Sequence, residues 1–392
     1  MNQETQCDLA HRTLALLDGK TTVMADHVLE EPVEGYRSPE QFDRERRLIF
    51  NRYPMFVGLS SELPEPGSWR SFDATGTPIL LTRDQSGRFR ALLNVCRHRG
   101  VTVASGCGVE ARRFTCPFHG WTYDIEGRLV GIPGAEAFTE ISRENHGLIE
   151  LPAAERYGLM FAAANPDADF DLNEYLGGLG EHFESFGFES WKPVAAVHEH
   201  VIHSNWKVVW GTHCETYHFA TLHRDSVGPI VYSNTSLADF YGDHALMTST
   251  LRSIDTLRDL PEAQWRPVDD GHINLNYRLF PNLSMSVVFG NRLEVFTIFP
   301  GENLHECTAW HYAYRKEIPE TQEERDELEK MVRFACQSVV DGEDYRMAEM
   351  TEHSLQSPSA PRTLVMGRNE PVMQSMTLTL RRVLGQGPGP TA

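Results

Sequence analysis

Cys96-Arg97-His98 and Cys116-Pro117-Phe118-His119 are the two short segments that decide the fold of this chain. Each segment offers one thiolate and one imidazole, and 17 residues separate the two segments. Runs of apolar sequence lead into both segments, with turns at Asp84-Gln85-Ser86-Gly87 and Glu126-Gly127, and such runs between turn residues are typical of β-hairpins. Each pair of side chains is therefore predicted to lie at the tip of a hairpin, where four donor atoms can converge on one site.

Two kinds of metal site use two cysteines and two histidines. The set can hold a structural zinc ion, and it is also the ligand set of a Rieske [2Fe–2S] cluster. A zinc finger of this ligand type places its histidines on a helix, whereas the sequence around His98 and His119 shows no helical period. We therefore favour the cluster and keep zinc as the alternative. The predicted ligands are Cys96, His98, Cys116 and His119.

The longer motif Cys-Arg-His-Arg-Gly at 96–100, followed by Cys-Pro-Phe-His-Gly-Trp-Thr-Tyr at 116–123, resembles the signature of the Rieske non-haem iron oxygenases, specifically of their large (α) subunits. The resemblance implies that the two cysteines hold the inner iron and that the two histidines hold the outer, more exposed iron. It also implies that the cluster passes single electrons to a second iron site in the same kind of chain.

Composition indicates a soluble globular protein of more than one domain, because 392 residues exceed the roughly 100–200 of one domain. No apolar run is long enough to span a membrane, and residues 1–17 lack the apolar core of a secretory signal. The net charge of −19 disfavours nucleic acid and anionic membranes as partners. The seven cysteines show no disulfide-scaffold spacing, which favours a cytoplasmic location.

The element pattern predicts an α+β protein of two domains. We expect an all-β Rieske [2Fe–2S] domain at 41–155 and a catalytic domain at 156–392, with residues 1–40 as an N-terminal segment that packs on the catalytic domain. The catalytic domain is expected to contain an antiparallel sheet flanked by helices, of the helix-grip type, with several strands in 273–315. A helix is predicted at 38–50, with Ser38 as its N-cap, and a long helix at about 320–355.

The catalytic domain carries a second candidate site in Glu215, His218 and His223. Glu215 and His218 are three apart and share one face of a helix. Histidines five apart diverge by roughly 140° on an ideal helix, so His218 and His223 can hold one metal only if the helix is distorted or ends between them. Taken alone, such a pair more often serves packing. Two histidines and one carboxylate form the facial triad of non-haem Fe(II) oxygenases, which leaves coordination positions open for O₂.

The third ligand is expected to be Asp344, in Asp341-Gly342-Glu343-Asp344-Tyr345 on the C-terminal helix. Gly342 is costly inside a helix unless a kink or a close approach requires it. Glu343 is expected to face elsewhere, Asp341 is the less favoured ligand, and a solvated acidic helix face is the alternative to a metal site. By the resemblance, a mononuclear Fe(II) is held by His218, His223 and Asp344.

Glu215 acquires a separate role from the resemblance. In the family, the acidic residue at this position links the iron-bound histidine of one subunit to a cluster histidine of its neighbour, within a ring of three subunits. Most ring-dihydroxylating members are expected to carry Asp there, so Glu215 resembles members that act on quaternary ammonium compounds and some other monooxygenases. Thr212 and Gly211 stand where many members have Asn. We expect His213 to serve packing, with a pocket role as the alternative.

The resemblance implies a terminal oxygenase component that receives electrons from an NAD(P)H-dependent reductase, directly or through a ferredoxin. It would use O₂ to hydroxylate an aromatic or other small organic substrate, and oxidative N- or O-demethylation of a quaternary ammonium or methoxy compound is the alternative. The length of the chain and the complete ligand set disfavour a pure electron carrier and a homologue that has lost its iron site. The candidate pocket residues are Phe219, Phe240, Tyr241, Leu246, Met247, Tyr277, Phe289 and Phe296.

Overall fold

Short antiparallel strands build the unit that carries the two Cys-His segments. A computed structural model describes residues 1–73, 76–195 and 197–387 of the chain, and this unit comprises Phe50–Tyr175 with Gly187–Ser190. A five-stranded sheet has the order Glu150–Leu151, Phe89–Leu93, Ile79–Arg83, Trp69–Phe72, Cys107–Gly108. Two three-stranded sheets have the orders Arg113–Thr115, Thr122–Asp124, Leu129–Gly131 and Ala153–Arg156, Leu159–Ala162, Met55–Leu59.

Aspartate side chains close two of the hairpin turns in this unit, as turn residues commonly do. The Asp84 carboxylate accepts hydrogen bonds from the backbone N–H groups of Ser86 (2.9 Å) and Arg88 (3.0 Å). Asp124 repeats the arrangement with the N–H groups of Glu126 (3.0 Å) and Arg128 (2.9 Å). The predicted hairpin turns on either side of the Cys-His segments are therefore confirmed.

The second unit comprises Met1–Ile49, Leu176–Phe186 and Trp191–Ala392 and is built on an eight-stranded antiparallel sheet. Seven strands follow the order Lys192–Pro193, Cys307–Arg315, Arg292–Pro300, Leu283–Val288, Ile273–Leu279, His244–Thr250, Ala238–Tyr241. The eighth strand, His198–Ile202, also pairs with Cys307–Arg315. A separate strand pair joins Leu29–Pro32 to Thr363–Met366. The predicted α+β class, with an all-β unit and an antiparallel sheet flanked by helices, is confirmed.

Helices surround this sheet, and two of them belong to one continuous C-terminal run. That run begins as an α-helix at Gln322–Arg333, widens to a π-helix at Phe334–Tyr345 and returns to an α-helix at Arg346–Leu355. The predicted helix near residue 38 is an α-helix at Pro39–Glu45 with a π turn after it, and the Ser38 hydroxyl caps it by accepting from the Gln41 N–H at 3.1 Å. The other α-helices are Gln3–Asp18, Glu34–Arg37, Leu172–Leu176, Leu179–Phe186, Trp206–Thr212 and Pro371–Val383.

The two units divide at 49/50 and near 175/176, whereas the sequence placed domain boundaries at 40/41 and 155/156. Pro39–Glu45 therefore belongs with the eight-stranded sheet, and Leu159–Ala162 belongs with the unit that carries the Cys-His segments. Among the described residues, no helix is both long and apolar enough to cross a membrane.

A buried ion pair attaches Pro39–Glu45 to the helix Trp206–Thr212. The Lys207 ammonium lies 2.8 and 2.9 Å from the two carboxylate oxygens of Glu45, and the Trp206 indole N–H donates to the same carboxylate at 2.7 Å. Glu45 is 0% exposed and Lys207 is 6% exposed. Because both charges are removed from water, each depends on the other for its stability.

We predict that Lys207→Met destabilises the protein by about 3–5 kcal/mol, because it leaves the Glu45 carboxylate buried without its counter-charge. Chemical denaturation monitored by far-UV circular dichroism measures this loss. The double variant Glu45→Gln/Lys207→Met should recover more than half of the lost stability, since neither charge remains. The exposed Lys330→Met serves as the control and should change stability by less than about 0.5 kcal/mol. Equal losses in Lys207→Met and Lys330→Met would contradict the prediction.

Candidate metal centres

The two Cys-His segments form loops of the same geometry. The carbonyl of Cys96 accepts from the Gly100 N–H at 2.9 Å, and the carbonyl of Cys116 accepts from the Gly120 N–H at 3.0 Å. Each cysteine N–H donates to the carbonyl five residues later, at 2.8 Å in both loops. Gly100 and Gly120 have φ angles of +80° and +73°, a region in which side chains other than glycine are strained. The glycine in each motif is thus required by the turn.

Burial separates the four predicted cluster ligands into an inner and an outer pair. The thiols of Cys96 and Cys116 are each 3% exposed, whereas His98 is half-buried and His119 is exposed. The two imidazole rings lie 4.6 Å apart, and His98 stacks on Trp121 at 5.0 Å. Sulfur inside and imidazole outside is the order that the resemblance implies for a Rieske cluster.

The protonation and hydrogen bonding of two of the donor atoms suit a metal cluster. Burial opposes ionisation of Cys96, but hydrogen bonds from the Tyr123 hydroxyl and the His98 N–H outweigh it and lower the pKa of the thiol. The buried Nδ1 of His98 has no hydrogen-bond partner among the described residues. A stabilised thiolate and an unpartnered imidazole nitrogen fit a [2Fe–2S] cluster held by Cys96, His98, Cys116 and His119.

The structure brings His218, His223 and Asp344 together. The Nε2 atoms of the two histidines are 3.1 Å apart, and the Asp344 Oδ1 atom lies 3.3 Å and 3.4 Å from them. The helix Trp206–Thr212 ends before the first histidine, and a short 3₁₀ turn at Tyr217–Ala220 precedes the second. The helix is therefore interrupted, as two histidines five apart require if they share one metal.

Carboxylates on the far edges of both rings fix which nitrogen carries the proton. The Nδ1 of His218 is hydrogen-bonded to Glu215, and the Nδ1 of His223 lies 2.6 Å from a Glu343 oxygen. In neutral imidazole only one nitrogen carries a proton, so Nδ1 donates to the carboxylate and the lone pair of Nε2 remains free. Both Nε2 atoms lie near the Asp344 Oδ1 atom, which is buried and has no hydrogen-bond partner within the described ranges.

The electrostatics of this triad also suit a divalent cation. Burial alone would lower the pKa of His218, but Asp344 and Glu215 outweigh it and raise that pKa to about 9. A metal ion that binds Nε2 would displace the proton held there and leave the imidazole neutral. Burial alone would raise the pKa of Asp344, but His218 and His223 lower it. Three acceptor atoms within 4.8 Å of one another and an excess of negative charge fit a metal ion, and nitrogen and carboxylate donors suit iron.

Glu343 was expected to face away from the site, and that expectation is wrong. Its carboxylate contacts the Nδ1 of His223 and also accepts a hydrogen bond from the Ser226 hydroxyl at 2.7 Å. An imidazole has nitrogens on two edges, so Glu343 and Asp344 can reach opposite edges of one ring. The adjacent acidic residues in the sequence were the signal that could have revealed this second role.

Glu215 positions His218 through three contacts. One carboxylate oxygen is hydrogen-bonded to the imidazole, and the other accepts from the backbone N–H groups of Tyr217 and His218. The carboxylate thereby caps the 3₁₀ turn that carries the ligand. His213 is partly buried, its Nε2 atom lies 3.3 Å from the Tyr345 hydroxyl, and burial lowers its pKa to about 3. The packing role expected for it stays a prediction.

A cavity of about 730 Å³ lies beside the triad. Phe219 lines it, and the ring of Phe219 is 4.9 Å from that of His218 and 5.2 Å from that of His223. Of the eight candidate pocket residues, three line the cavity: Phe219, Phe289 and Phe296. Such a volume suits a small organic molecule.

Strand alternation explains two of the remaining candidates, because alternate residues of a strand face opposite sides of the sheet. Asn274 and Asn276 line the cavity, whereas Tyr277 pairs with Leu246 across neighbouring strands on the other face. Met247 is buried without lining the cavity. Phe240 and Tyr241 belong to the edge strand Ala238–Tyr241.

The two centres define an iron protein with one redox cluster and one mononuclear site, and comparison with known proteins gives its family. The profile of the Rieske [2Fe-2S] domain matches residues 53–146, and that of the ring hydroxylating alpha subunit (catalytic domain) matches residues 188–386. The protein belongs to this family of ring-hydroxylating α subunits. Members bind a [2Fe–2S] cluster in the Rieske domain and a mononuclear iron in the catalytic domain.

Individual relatives fall in more than one branch. The chain is 30% identical over 213 residues to the glycine betaine monooxygenase oxygenase subunit of Chromohalobacter salexigens, a match that covers 54% of this chain and 46% of the relative. It is 26% identical over 382 residues to the anthranilate 1,2-dioxygenase large subunit of Burkholderia cepacia, covering 89% of each. A solved structure of the quaternary ammonium Rieske monooxygenase CntA shares the fold, with a TM-score of 0.78, 21% identity and coverage of 90% and 94%.

We predict that Glu343→Gln weakens iron binding at the mononuclear site by about 10–100-fold, because the partner that orients a histidine ligand is lost. Competition with a chelator, followed by iron analysis, measures the affinity. Glu349→Gln is the control on the same helical run, since Glu349 accepts from the backbone N–H of His203 at 3.2 Å instead. Unchanged iron affinity in Glu343→Gln would refute the positioning role.

Proposed function

We propose that this chain is the terminal oxygenase component of a Rieske oxygenase. Cys96, His98, Cys116 and His119 hold the cluster, and His218, His223 and Asp344 hold Fe(II). One observation carries the proposal: two imidazole lone pairs and a carboxylate oxygen converge within 3.4 Å with no hydrogen bond to Asp344 Oδ1 among the described residues. The enzyme uses O₂ and electrons from an NAD(P)H-dependent reductase, directly or through a ferredoxin, to hydroxylate a small organic substrate.

The bound iron supplies O₂ activation, and the side chains around it supply position and environment. Three protein donors leave coordination positions for O₂ beside the substrate. Glu215 and Glu343 hold the two histidines in one tautomer, so the nitrogen that faces the metal is unprotonated. Phe219 stands between the two rings and the cavity, where it limits the access of water and provides a flat surface for the substrate.

The cavity favours a substrate with an aromatic or otherwise apolar body. Phe219, Phe289, Phe296 and Phe334 contribute rings to its lining. The Glu294 carboxylate, which also lines it, is engaged by the Arg292 guanidinium at 2.6 Å and by His311. That buried charge is already compensated. The groups left for recognition are the apolar surface, the amides of Asn274 and Asn276, and the charged side chains of Arg315, Glu324 and Glu327, which also line the cavity.

The second candidate is oxidative N- or O-demethylation of a quaternary ammonium or methoxy compound. Glu215 stands where ring-dihydroxylating members are expected to carry Asp, and the glycine betaine and CntA relatives act on quaternary ammonium compounds by name. Aromatic rings attract such cations through their π faces. The same phenylalanines would therefore serve this substrate class.

We predict that a substrate panel will separate the two reactions. The full-length protein, supplied with a generic reductase and NADH, is assayed for substrate-dependent O₂ uptake and for product mass. Hydroxylation adds one oxygen atom, ring dihydroxylation adds two oxygen and two hydrogen atoms, and demethylation releases formaldehyde. Asp344→Ala should abolish product formation and remove the mononuclear iron while the cluster spectrum persists. Full activity in Asp344→Ala would overturn the ligand assignment.

The proposal extends to a homotrimer in which Glu215 connects the cluster of one subunit to the iron of the next. Glu215 is attached to the iron-side histidine, and its side chain is 14% exposed. In the cluster-bearing unit, His119 is exposed. Each end of the connection is thus accessible to a neighbouring chain, as the family resemblance implies.

We predict that Glu215→Gln, loaded with saturating Fe(II) to offset any loss of iron affinity, carries both metal centres but slows coupled turnover by about tenfold or more, because the amide is a weaker partner for the histidines. Glu349→Gln is the control. Co-expression supplies the decisive test, with a cluster-deficient His119→Ala chain and an iron-deficient Asp344→Ala chain that are each inactive alone. Mixed oligomers should regain activity if electrons cross between subunits, and no recovery would contradict the bridge.

Two further proposals concern the surroundings of the enzyme. The net charge of −19 can steer a basic region of the reductase or ferredoxin towards this subunit, so the electron-transfer rate should fall as ionic strength rises.

None of the seven cysteines, all of which lie in the described residues, is in a disulfide. That observation supports a cytoplasmic location.

A further inference from the structure

A second cluster of metal-ligating side chains lies in the same unit as the triad. His198, His200, Cys336 and Asp341 each offer one donor atom, and all four atoms lie within 4.8 Å of one another. None of these residues belongs to the iron site described above. Asp341 was the less favoured candidate for the iron ligand, and the structure places it in this cluster instead.

Local geometry explains why four residues from two distant segments converge. His198 and His200 are two apart on the strand His198–Ile202, so both side chains point to the same side. Cys336 and Asp341 are five apart in the π-helix Phe334–Tyr345, and the wider turn of a π-helix, with its i→i+5 hydrogen bonds, brings such residues towards one face. Strand and helix therefore each present a matched pair of donors.

The donor atoms face one another at ion-pair distances, but three of them complete no hydrogen bond with any described residue. The Nε2 atoms of His198 and His200 lie 3.5 Å and 2.7 Å from the Asp341 Oδ2 atom. Both nitrogens and the Asp341 Oδ1 atom are buried, and within the described part of the chain none of the three has a hydrogen-bond partner. Buried polar atoms are rarely left unpaired, and an ion is one of the ordinary explanations.

The charge state of the cluster is also compatible with a metal. Burial and the neighbouring His200 lower the pKa of His198, so its imidazole is neutral and can donate a lone pair. Burial raises the pKa of the Cys336 thiol, and a metal ion would displace that proton on binding, as it does at other thiolate sites. One proton is released for each thiolate–metal bond that forms.

We propose that His198, His200, Cys336 and Asp341 form a second, structural metal site that binds a divalent transition metal of the zinc type. Two nitrogens, one sulfur and one oxygen make a closed four-ligand set, and tetrahedral zinc with bonds of about 2.0–2.3 Å requires donor atoms roughly 3.3–3.8 Å apart. The observed separations, all under 4.8 Å, need only small side-chain adjustments to reach that geometry.

The position of the site gives it a structural role. Its metal would join the strand His198–Ile202 to the π-helix, and the next residues of that helix, Glu343 and Asp344, contact the histidines of the iron site. A metal ion bound at this site would therefore fix the position of the π-helix, which also carries the iron-binding carboxylate of Asp344. This inference does not depend on the reaction or on the substrate of the enzyme.

Cobalt titration of the full-length Asp344→Ala protein tests the site, because Co²⁺ occupies zinc sites and gives a thiolate-to-cobalt charge-transfer band. We expect one equivalent of Co²⁺ to bind with that band, and Zn²⁺ to displace it. The triad contains no sulfur, so the band distinguishes this site from the iron site even if Asp344→Ala retains metal there. Failure of the proposed function and failure of the second site would thus be separately visible.

Matched variants assign the ligands. Cys336→Ser should abolish the charge-transfer band, and His200→Ala and Asp341→Asn should each weaken Co²⁺ binding by about 100-fold or more. Cys7→Ser and His203→Ala, which alter a thiol and an imidazole outside the cluster, should leave the band and the affinity unchanged. If Cys336→Ser does not fold, His200→Ala and Asp341→Asn decide the matter. A missing band in the parent protein, or Co²⁺ affinity that all cluster variants preserve, would overturn the proposal.

Discussion

The π-helical winding of Phe334–Tyr345 presents a carboxylate to each candidate metal site of the catalytic unit, Asp341 to one and Asp344 to the other. In an α-helix, residues five apart point in directions that differ by roughly 140°, whereas i→i+5 hydrogen bonding aligns them. Gly342 lies inside this winding, and a Cβ atom there would be 3.2 Å from the carbonyl oxygen of Gln337, five residues earlier. Glycine at this position lets the wide turn close. The turn in turn sets the directions in which Glu343 and Asp344 reach the histidines.

Negative charge around two neutral imidazoles makes the triad a cation site. Glu215, Glu343 and Asp344 surround His218 and His223, so three carboxylates face two rings. A divalent cation balances most of this charge, and the two outer carboxylates keep the protons on the far nitrogens. The Rieske unit prepares its metal ligands by hydrogen bonding instead of by charge. The Tyr123 hydroxyl and backbone N–H groups, rather than charged groups, stabilise the Cys96 thiolate.

The predictions that succeeded were those that rest on local chemistry. Turn residues located the hairpins, and the five-residue spacing of His218 and His223 required the interrupted helix that the structure contains. The Cys-x-His and Cys-x₂-His segments form two loops of the same geometry, and their role as cluster ligands stays a prediction. The misjudged orientation of Glu343 depends on helical winding, which residue type does not reveal. The pairing of His200 with Asp341 joins positions 141 apart in the chain, and only the folded chain brings such positions together. The pocket residues were chosen by residue type, without regard to which side of a strand each one faces, and Tyr277 lies on the side away from the cavity.

Accessibility within each unit is consistent with electron flow between chains. In the Rieske unit, the sulfur side is buried and the imidazole side is open to solvent, so an electron leaves most readily through His98 or His119. In the catalytic unit, Glu215 touches the iron-side histidine directly and remains 14% exposed. A carboxylate oxygen has more than one lone pair, so Glu215 would be able to accept a further hydrogen bond from an imidazole of another chain. The same residue would then position a ligand within its own subunit and carry the connection to the next one.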